Sequence, residues 1–236
     1  MNGGTMNTTE HSGQRAVLAE LLDARWTCRQ FRPDQVPHQD IEQLLELAQR
    51  TPSWCNTQPW QVAITEGAGT DRFRKALLEH IYSGAAIAPD FDFPARYVGE
   101  FQKRRRECGF QLYDSIGIVK GDVARTAAQM MRNFELFDAP HVAIITTEQD
   151  LGTYGAVDCG LYIGSFLLGA QSVGIATAPQ AALATYAPFL HEYFGIPEHR
   201  RVVAGISFGY ADAEHPINTF RTSREPIENV VTWSTD

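Results

Sequence analysis

The pattern of hydrophobic and polar positions divides the chain into helices and strands. Apolar residues at 41, 44, 45 and 48 have helical spacing and predict a helix that opens at Val36 and Pro37. Residues 60, 62 and 64 alternate with polar ones, as a strand does. Residues 201–208 alternate in the same way and predict another strand, and the short run 141–146 predicts a buried strand. Further helices are predicted from Arg15 onward and at 71–82, 96–113, 122–136, 153–172 and 188–194.

Several segments lack such a period. Residues 1–14 are polar and predict a flexible N-terminal tail, which leaves 15–236 as a single domain. Residues 83–94 begin an irregular insertion, 83–120, which we interpret as a lid that selects the substrate. Residues 174–182 predict a loop of small residues. The apolar C-terminal residues Val230, Val231 and Trp233 are expected to be buried.

The helix at 153–172 is apolar nearly all round, so it is predicted to be buried on most faces. Its glycines at 155, 160, 164 and 169 would weaken a solitary helix. They predict close packing against a neighbour, for example across a dimer.

Charge and cysteine content narrow the class of protein. The net charge of −8 argues against nucleic acid and anionic membranes as partners. The basic run 103–106 is flanked by Glu100 and Glu107, which favours a solvated helix face. Four separated cysteines indicate neither a disulfide framework nor a zinc site. We found no secretory signal, and the longest apolar run, 159–170, is too short for a bilayer, so a cytoplasmic protein is expected.

The segment 50–61 carries the densest candidate chemistry. Pro52 ends the preceding helix and Pro59 starts the following strand. Between them lie a hydroxyl, an indole, a thiol and two carboxamides, which suits a loop facing a planar polar ligand. A buried connector whose amides satisfy their own backbone explains the composition equally well.

Two arginines suggest an anion site. Arg25 and Arg29 would share a side whether their segment is helical or extended, and paired guanidinium groups suit a phosphate. Ordinary surface arginines are the alternative. The small residues of 174–182 could bring backbone amides close to a flat ring, or could simply pack closely. The chain shows no G-x-G-x-x-G fingerprint, catalytic triad or metal motif.

Taken together, four segments in order resemble the nitroreductase family of FMN-dependent oxidoreductases. They are Arg25-Trp26-Thr27-Cys28-Arg29-Gln30-Phe31, Thr51-Pro52-Ser53-Trp54-Cys55-Asn56-Thr57-Gln58-Pro59-Trp60, Gly174 to Ala182, and Arg221 to Pro226. The resemblance covers almost the whole chain.

The resemblance implies an α+β fold, with a central, mostly antiparallel sheet wrapped by helices, in an intertwined homodimer with FMN at the interface. Arg25, Trp26, Thr27, Arg29 and Arg224 would hold the phosphate and ribityl side. Pro52, Ser53, Trp54 and Asn56 would come from the partner subunit. Pro179, Gln180, Ala181 and Ala182 would line the ring, with a backbone amide directed at its N5. Trp26, Trp54, Cys55 and Thr222 depart from the family pattern, so their contacts are expected to differ.

The chemistry implied is hydride transfer from NADH or NADPH through flavin N5 to a small aromatic acceptor, a nitroaromatic or quinone, by a ping-pong mechanism. No catalytic side chain and no metal are expected. Two alternatives remain open, an enone reductase or reductive dehalogenase on the same flavin, and a flavin-binding protein without turnover.

Overall fold

The computed structural model describes residues 8–235, which form a layered arrangement of helices around one sheet. Its elements in chain order are α1 (Thr8–Ala24), α2 (His38–Ala48), β1 (Gln61–Thr65), α3 (Ala68–Tyr82), α4 (Gly99–Ser115), α5 (Val123–Met131), β2 (His141–Glu148), α6 (Gly152–Ser172), β3 (Ala176–Gln180), α7 (Ala187–Phe194) and β4 (Arg200–Gly209).

The sheet has the strand order β1-β2-β4-β3, and each neighbouring pair runs antiparallel. β2 and β4 form its centre, and their register shifts between Ile145 and Thr146, which marks a bulge. The predicted α+β class with an antiparallel sheet is confirmed.

The residues of β2 alternate between two cores because side chains of a strand point to opposite faces. Val142 and Ile144 pack with α3 and α7 on one face. Ala143 and Ile145 pack with α2 and α6 on the other face. Burial on both faces explains why β2 reads as a continuous apolar run.

A buried arginine ties the loop before β1 to the centre of the sheet. Arg200 is 5% exposed and donates to the carbonyl oxygen of Pro59 at 2.7 Å and to that of Thr146 at 2.8 Å. Its Nε also donates to Thr146 Oγ1 at 2.8 Å. The loop at 51–59 is therefore fixed at its exit, close to the first residue of β1.

The structure differs from the sequence prediction in three elements. α1 already begins at Thr8, so the predicted tail ends earlier than residue 14, and residues 1–7 lie outside the described residues. Residues 176–180, predicted as a loop, form the edge strand β3. The helix predicted at 122–136 stops at Met131, and the chain then adopts positive φ at Leu136, Phe137 and Asp138.

α6 is buried on one side only, whereas the sequence predicted burial on most sides. Gly155 and Gly169 lie against Thr147 and Leu44, but a Cβ at Gly160 or Gly164 would meet nothing within 4 Å. The apolar side chains on this open face are exposed: Tyr154 by 59%, Val157 by 51% and Leu161 by 49%.

Two other observations concern apolar surface. Val230, Val231 and Trp233 were predicted to be buried but are exposed, by 70%, 36% and 78%. Among the described residues one helical stretch, Gln149–Ser172, is long and apolar enough to cross a membrane, which the sequence analysis did not predict. The core helix of a soluble protein meets the same criterion, and α6 packs one face on α2.

Candidate active site

An open cavity of about 370 Å³ lies where the C-terminal end of α1 meets the C-terminal arm of the chain. It brings together four arginines, Arg25, Arg29, Arg221 and Arg224, which come from two segments almost two hundred residues apart in sequence. Its remaining lining is Leu22, Asp23, Trp26, Thr27, Cys108, Phe220 and Thr222. The arginine pair and the arm predicted from the sequence therefore meet in one place.

The backbone that carries Arg29 is fixed by the sheet and by an asparagine. Arg25 directly follows α1, and its amide still donates to Leu21 O at 3.1 Å. Two residues later Thr27 pairs with Thr177 of β3 in a parallel bridge, and the amide of Cys28 donates to Thr177 O at 2.9 Å. The amide of Arg29 then donates to Asn218 Oδ1 at 2.9 Å.

The guanidinium groups of the cavity are held by carbonyl oxygens and aromatic rings. Arg29 lies over the ring of Phe220 at 5.4 Å and Arg221 over that of Trp26 at 4.4 Å. Arg224 donates to the carbonyl oxygens of Thr222 and Ser223 and to Thr222 Oγ1. Among the side chains that the structure describes, those of residues 11–235, none of the four arginines forms an ion pair with a carboxylate.

Crowding of positive charge makes this cavity electrostatically unfavourable when nothing neutralises it. Burial lowers the pKa of Arg29, and burial together with the charge of Arg224 lowers the pKa of Arg25. Arginine stays protonated in proteins, so these shifts report an energetic cost of holding the charges and not a loss of charge. A bound dianion would relieve that cost, because the guanidinium fork matches phosphate oxygens.

Residues 179–182 follow directly from the strand that pairs with Thr27. Pro179 and Gln180 end β3, and Ala181 and Ala182 begin the next turn. Gln180 is 4% exposed, and its carboxamide accepts from Ser207 Oγ at 2.5 Å and donates to the carbonyl oxygen of Asn133 at 2.7 Å. The carboxamide is thus engaged within the core.

The loop at 52–56 lies on α6, separate from the arginine cavity in this chain. The Trp54 ring contacts that of Tyr154 with centroids 4.5 Å apart, and Trp54, Cys55 and Asn56 are exposed. Ser53 Oγ accepts from the amide of Gln58 at 2.9 Å. The loop satisfies part of its own backbone, as a connector would, yet it leaves its indole and Asn56 at the surface.

Sequence reasoning missed three residues of this region. Asn218 is 4% exposed and also donates to the carbonyl oxygens of Gln30 and Asp212, so it fixes the arginine segment. Arg221 was seen as part of a motif but not as a fourth cation, and Cys108 reaches the cavity from α4. Nothing in the spacing of these residues along the chain predicts that they meet.

Known proteins share both the sequence pattern and this architecture. The family model described as "Nitroreductase family" matches residues 22–210. The chain belongs to the nitroreductase family. It is 33% identical over 220 residues to 4-nitrobenzoate reductase of Nocardioides sp. (strain LMS-CY), covering 92% of this chain and 89% of the relative. It is 34% identical to nitroreductase NfnB of Mycolicibacterium smegmatis, covering 91% of each.

Solved structures of nitroreductases superpose along the whole domain. The FMN-dependent nitroreductase NfnB from Mycobacterium smegmatis in complex with NADPH matches with a TM-score of 0.89 and 32% identity, covering 94% of this chain and 100% of that one. The FMN and NADPH-dependent NfnB from Sphigopyxis sp. strain HMH matches with a TM-score of 0.88 and 28% identity, covering 92% and 99%. The family predicted from the four segments is confirmed.

Proposed function

We propose that this nitroreductase-family chain is an FMN-dependent oxidoreductase that takes a hydride from NAD(P)H and passes it to a nitroaromatic or quinone-like acceptor by a ping-pong mechanism. The observation that carries the proposal is the cavity with four arginines, which no described carboxylate pairs with, in a chain whose relatives include an FMN-dependent nitroreductase. NADPH is the donor that the neighbouring structures favour.

The residues of the cavity fit the phosphate end of FMN. Arg25, Arg29 and Arg224 would hold the phosphate, with Arg221 as a fourth cation, and Thr27 would face the ribityl side. Charge-assisted bonds from guanidinium groups are about twice as strong as neutral ones, so a flavin held here should stay bound through turnover. Trp26, whose ring lies under Arg221, would stabilise that cation, while the neighbouring arginines would contact the phosphate.

The ring of the flavin would lie along residues 179–182, beside the arginine segment that pairs with β3. The backbone amides of Ala181 and Ala182 suit a flat polar ring because small side chains allow a close approach. When bound, FMN supplies the atom that accepts and donates hydride, so the chain need supply binding, orientation and exclusion of water, with no side-chain nucleophile or base.

A second copy of the chain would complete the site. The exposed Trp54 and Asn56 are separate from the arginine cavity of their own chain, so we propose that they serve the cavity of the partner in a homodimer. The open apolar face of α6, with Gly160 and Gly164, is the proposed contact between the copies. Residues 83–120 would choose the acceptor, and a cytoplasmic location remains a prediction.

Three measurements test the function. The purified protein should show a bound-flavin spectrum that bleaches under anaerobic NADPH. With NADPH and 4-nitrobenzoate varied together, double-reciprocal steady-state lines should be parallel; intersecting lines would exclude the ping-pong mechanism. Turnover of an enone or halogenated phenol without any nitro compound would favour the alternative acceptors, and a flavin that no pyridine nucleotide bleaches would indicate a binding protein.

A further inference from the structure

The loop that precedes β1 has an unusual backbone. Cys55, Asn56 and Gln58 all have positive φ, at 49°, 56° and 46°. Residues other than glycine rarely adopt this region, and they persist in it only when the surrounding structure holds them. Asn56 and Trp54 are the exposed residues proposed to reach the partner's flavin. The contacts that hold the loop in this conformation therefore also determine the orientation of these two side chains.

Three contacts connect the loop to one stripe of α6. The Trp54 ring lies on Tyr154, the Trp54 amide donates to both carboxylate oxygens of Asp158 at 3.2 Å, and Thr51 Oγ1 donates to Ser165 Oγ at 2.7 Å. Positions 154, 158 and 165 lie four and seven apart, so they share one face of the helix. The loop thus runs antiparallel to α6 and is fixed to it at Thr51 and at Trp54.

Asp158 is the member of this stripe that packing does not explain. It is 5% exposed and is the one charged residue of α6. Among the described side chains of residues 11–235 it has no ion-pair partner, and the hydrogen bonds that its carboxylate accepts there come from the Trp54 amide. A buried carboxylate without a cation is costly.

We propose that Asp158 is a positioning residue of the flavin site, which holds the Trp54 amide so that the turn at Trp54–Asn56 presents Asn56 to the cofactor bound by the partner. The proposal rests on the proposed function, in particular on the assignment of this loop to the partner's site. A residue kept only to fill this space could be a leucine, which would offer the Trp54 amide no acceptor.

The test uses the full-length protein, stripped of flavin, and measures both the Kd for added FMN and the Tm of the apoprotein. Asp158→Leu should weaken FMN binding by about tenfold or more, since a bond to a charged acceptor is lost, while the apoprotein Tm stays the same or rises. Asp158→Asn keeps an acceptor oxygen and should retain most of the affinity. Asp150→Asn, an exposed carboxylate that lines the same small cavity beside Trp54, is the matched control and should behave as the parent.

The outcomes separate this inference from the proposed function. If both Asp158→Leu and Asn56→Ala leave FMN binding unchanged, the loop does not serve the flavin, and the assignment on which the inference rests is wrong. If Asn56→Ala weakens binding and Asp158→Leu does not, the positioning role is refuted. Equal losses of affinity in the Leu and Asn variants of Asp158, accompanied by a lower Tm, would also overturn it.

Discussion

Replacing Arg29 by alanine is the sharpest test of the arginine cavity. Its guanidinium donates one bond to the chain, to Thr27 O at 3.3 Å, which leaves most of its five N–H donors for a ligand. A charge-assisted hydrogen bond contributes about 1.5–3 kcal/mol. Losing one such bond should therefore weaken FMN binding by about 10- to 150-fold.

The free protein should respond differently from the complex. Alanine retains the backbone amide that donates to Asn218, so the loop keeps its anchor. Burial lowers the pKa of Arg29, which means that its charge is costly where it lies. The Tm of the apoprotein should therefore stay the same or rise in Arg29→Ala, while the rise in Tm that FMN produces becomes smaller.

Quenching of flavin fluorescence during titration with apoprotein gives the Kd directly. Arg32→Ala is the matched control, because Arg32 is an exposed arginine three residues away that pairs with Asp34 at 2.8 Å outside the cavity. Raising the salt concentration should weaken FMN binding more in the parent than in Arg29→Ala, because the variant has fewer charges in contact with the anion. Parental affinity in Arg29→Ala would refute the phosphate assignment.

Three further predictions concern assembly, pH and packing. Leu161→Glu places a charge on the open face of α6 and should convert a dimer to monomers with weaker flavin binding, measured by light scattering; a dimer that persists would exclude this face. His141 is buried, its Nε2 accepts from the Val36 amide, and burial lowers its pKa. Its contribution to the free energy of unfolding should be complete above about pH 6.5 and lost as the pH falls through the lowered pKa. Urea titrations at several pH values check this, and the dependence should shrink in His141→Gln. The added methyl group of Gly205→Ala would overlap Leu183, so this change should lower the free energy of unfolding by about 1–3 kcal/mol in the same urea titrations. Gly109→Ala, with open space around it, should not lower the free energy of unfolding.

Periodicity predicted the elements that have one clear face. α2 and α7 were found within a few residues of their ends, and β4 was found from its alternation. β2 was found as a short apolar run, which the structure buries on both faces. β3 was missed because its Ala, Thr, Pro and Gln residues carry no strand signal. Pro179 is tolerated there because β3 lies at the edge of the sheet, beside β4.

The site could be predicted only in part from the sequence. The spacing of Arg25 and Arg29 indicated one shared side, and the two residues do line one cavity, although the segment is neither a helix nor a regular strand there. The pairing of Arg29 with Asn218 and of Trp54 with Asp158 depends on contacts between residues more than a hundred positions apart. Local patterns carry no information about such contacts, so these residues required the structure.

The bridge between Thr27 and Thr177 has a consequence for solubility. β3 is an edge strand, and the segment around Thr27 covers part of its outer side with a hydrogen bond from Cys28. Uncovered edges offer unpaired N–H and C=O groups to other chains and promote aggregation. An anion that holds Arg25 and Arg29 would keep this cover in place, so loss of the cofactor should make the protein prone to self-association through its sheet, and adding the cofactor back early should protect it.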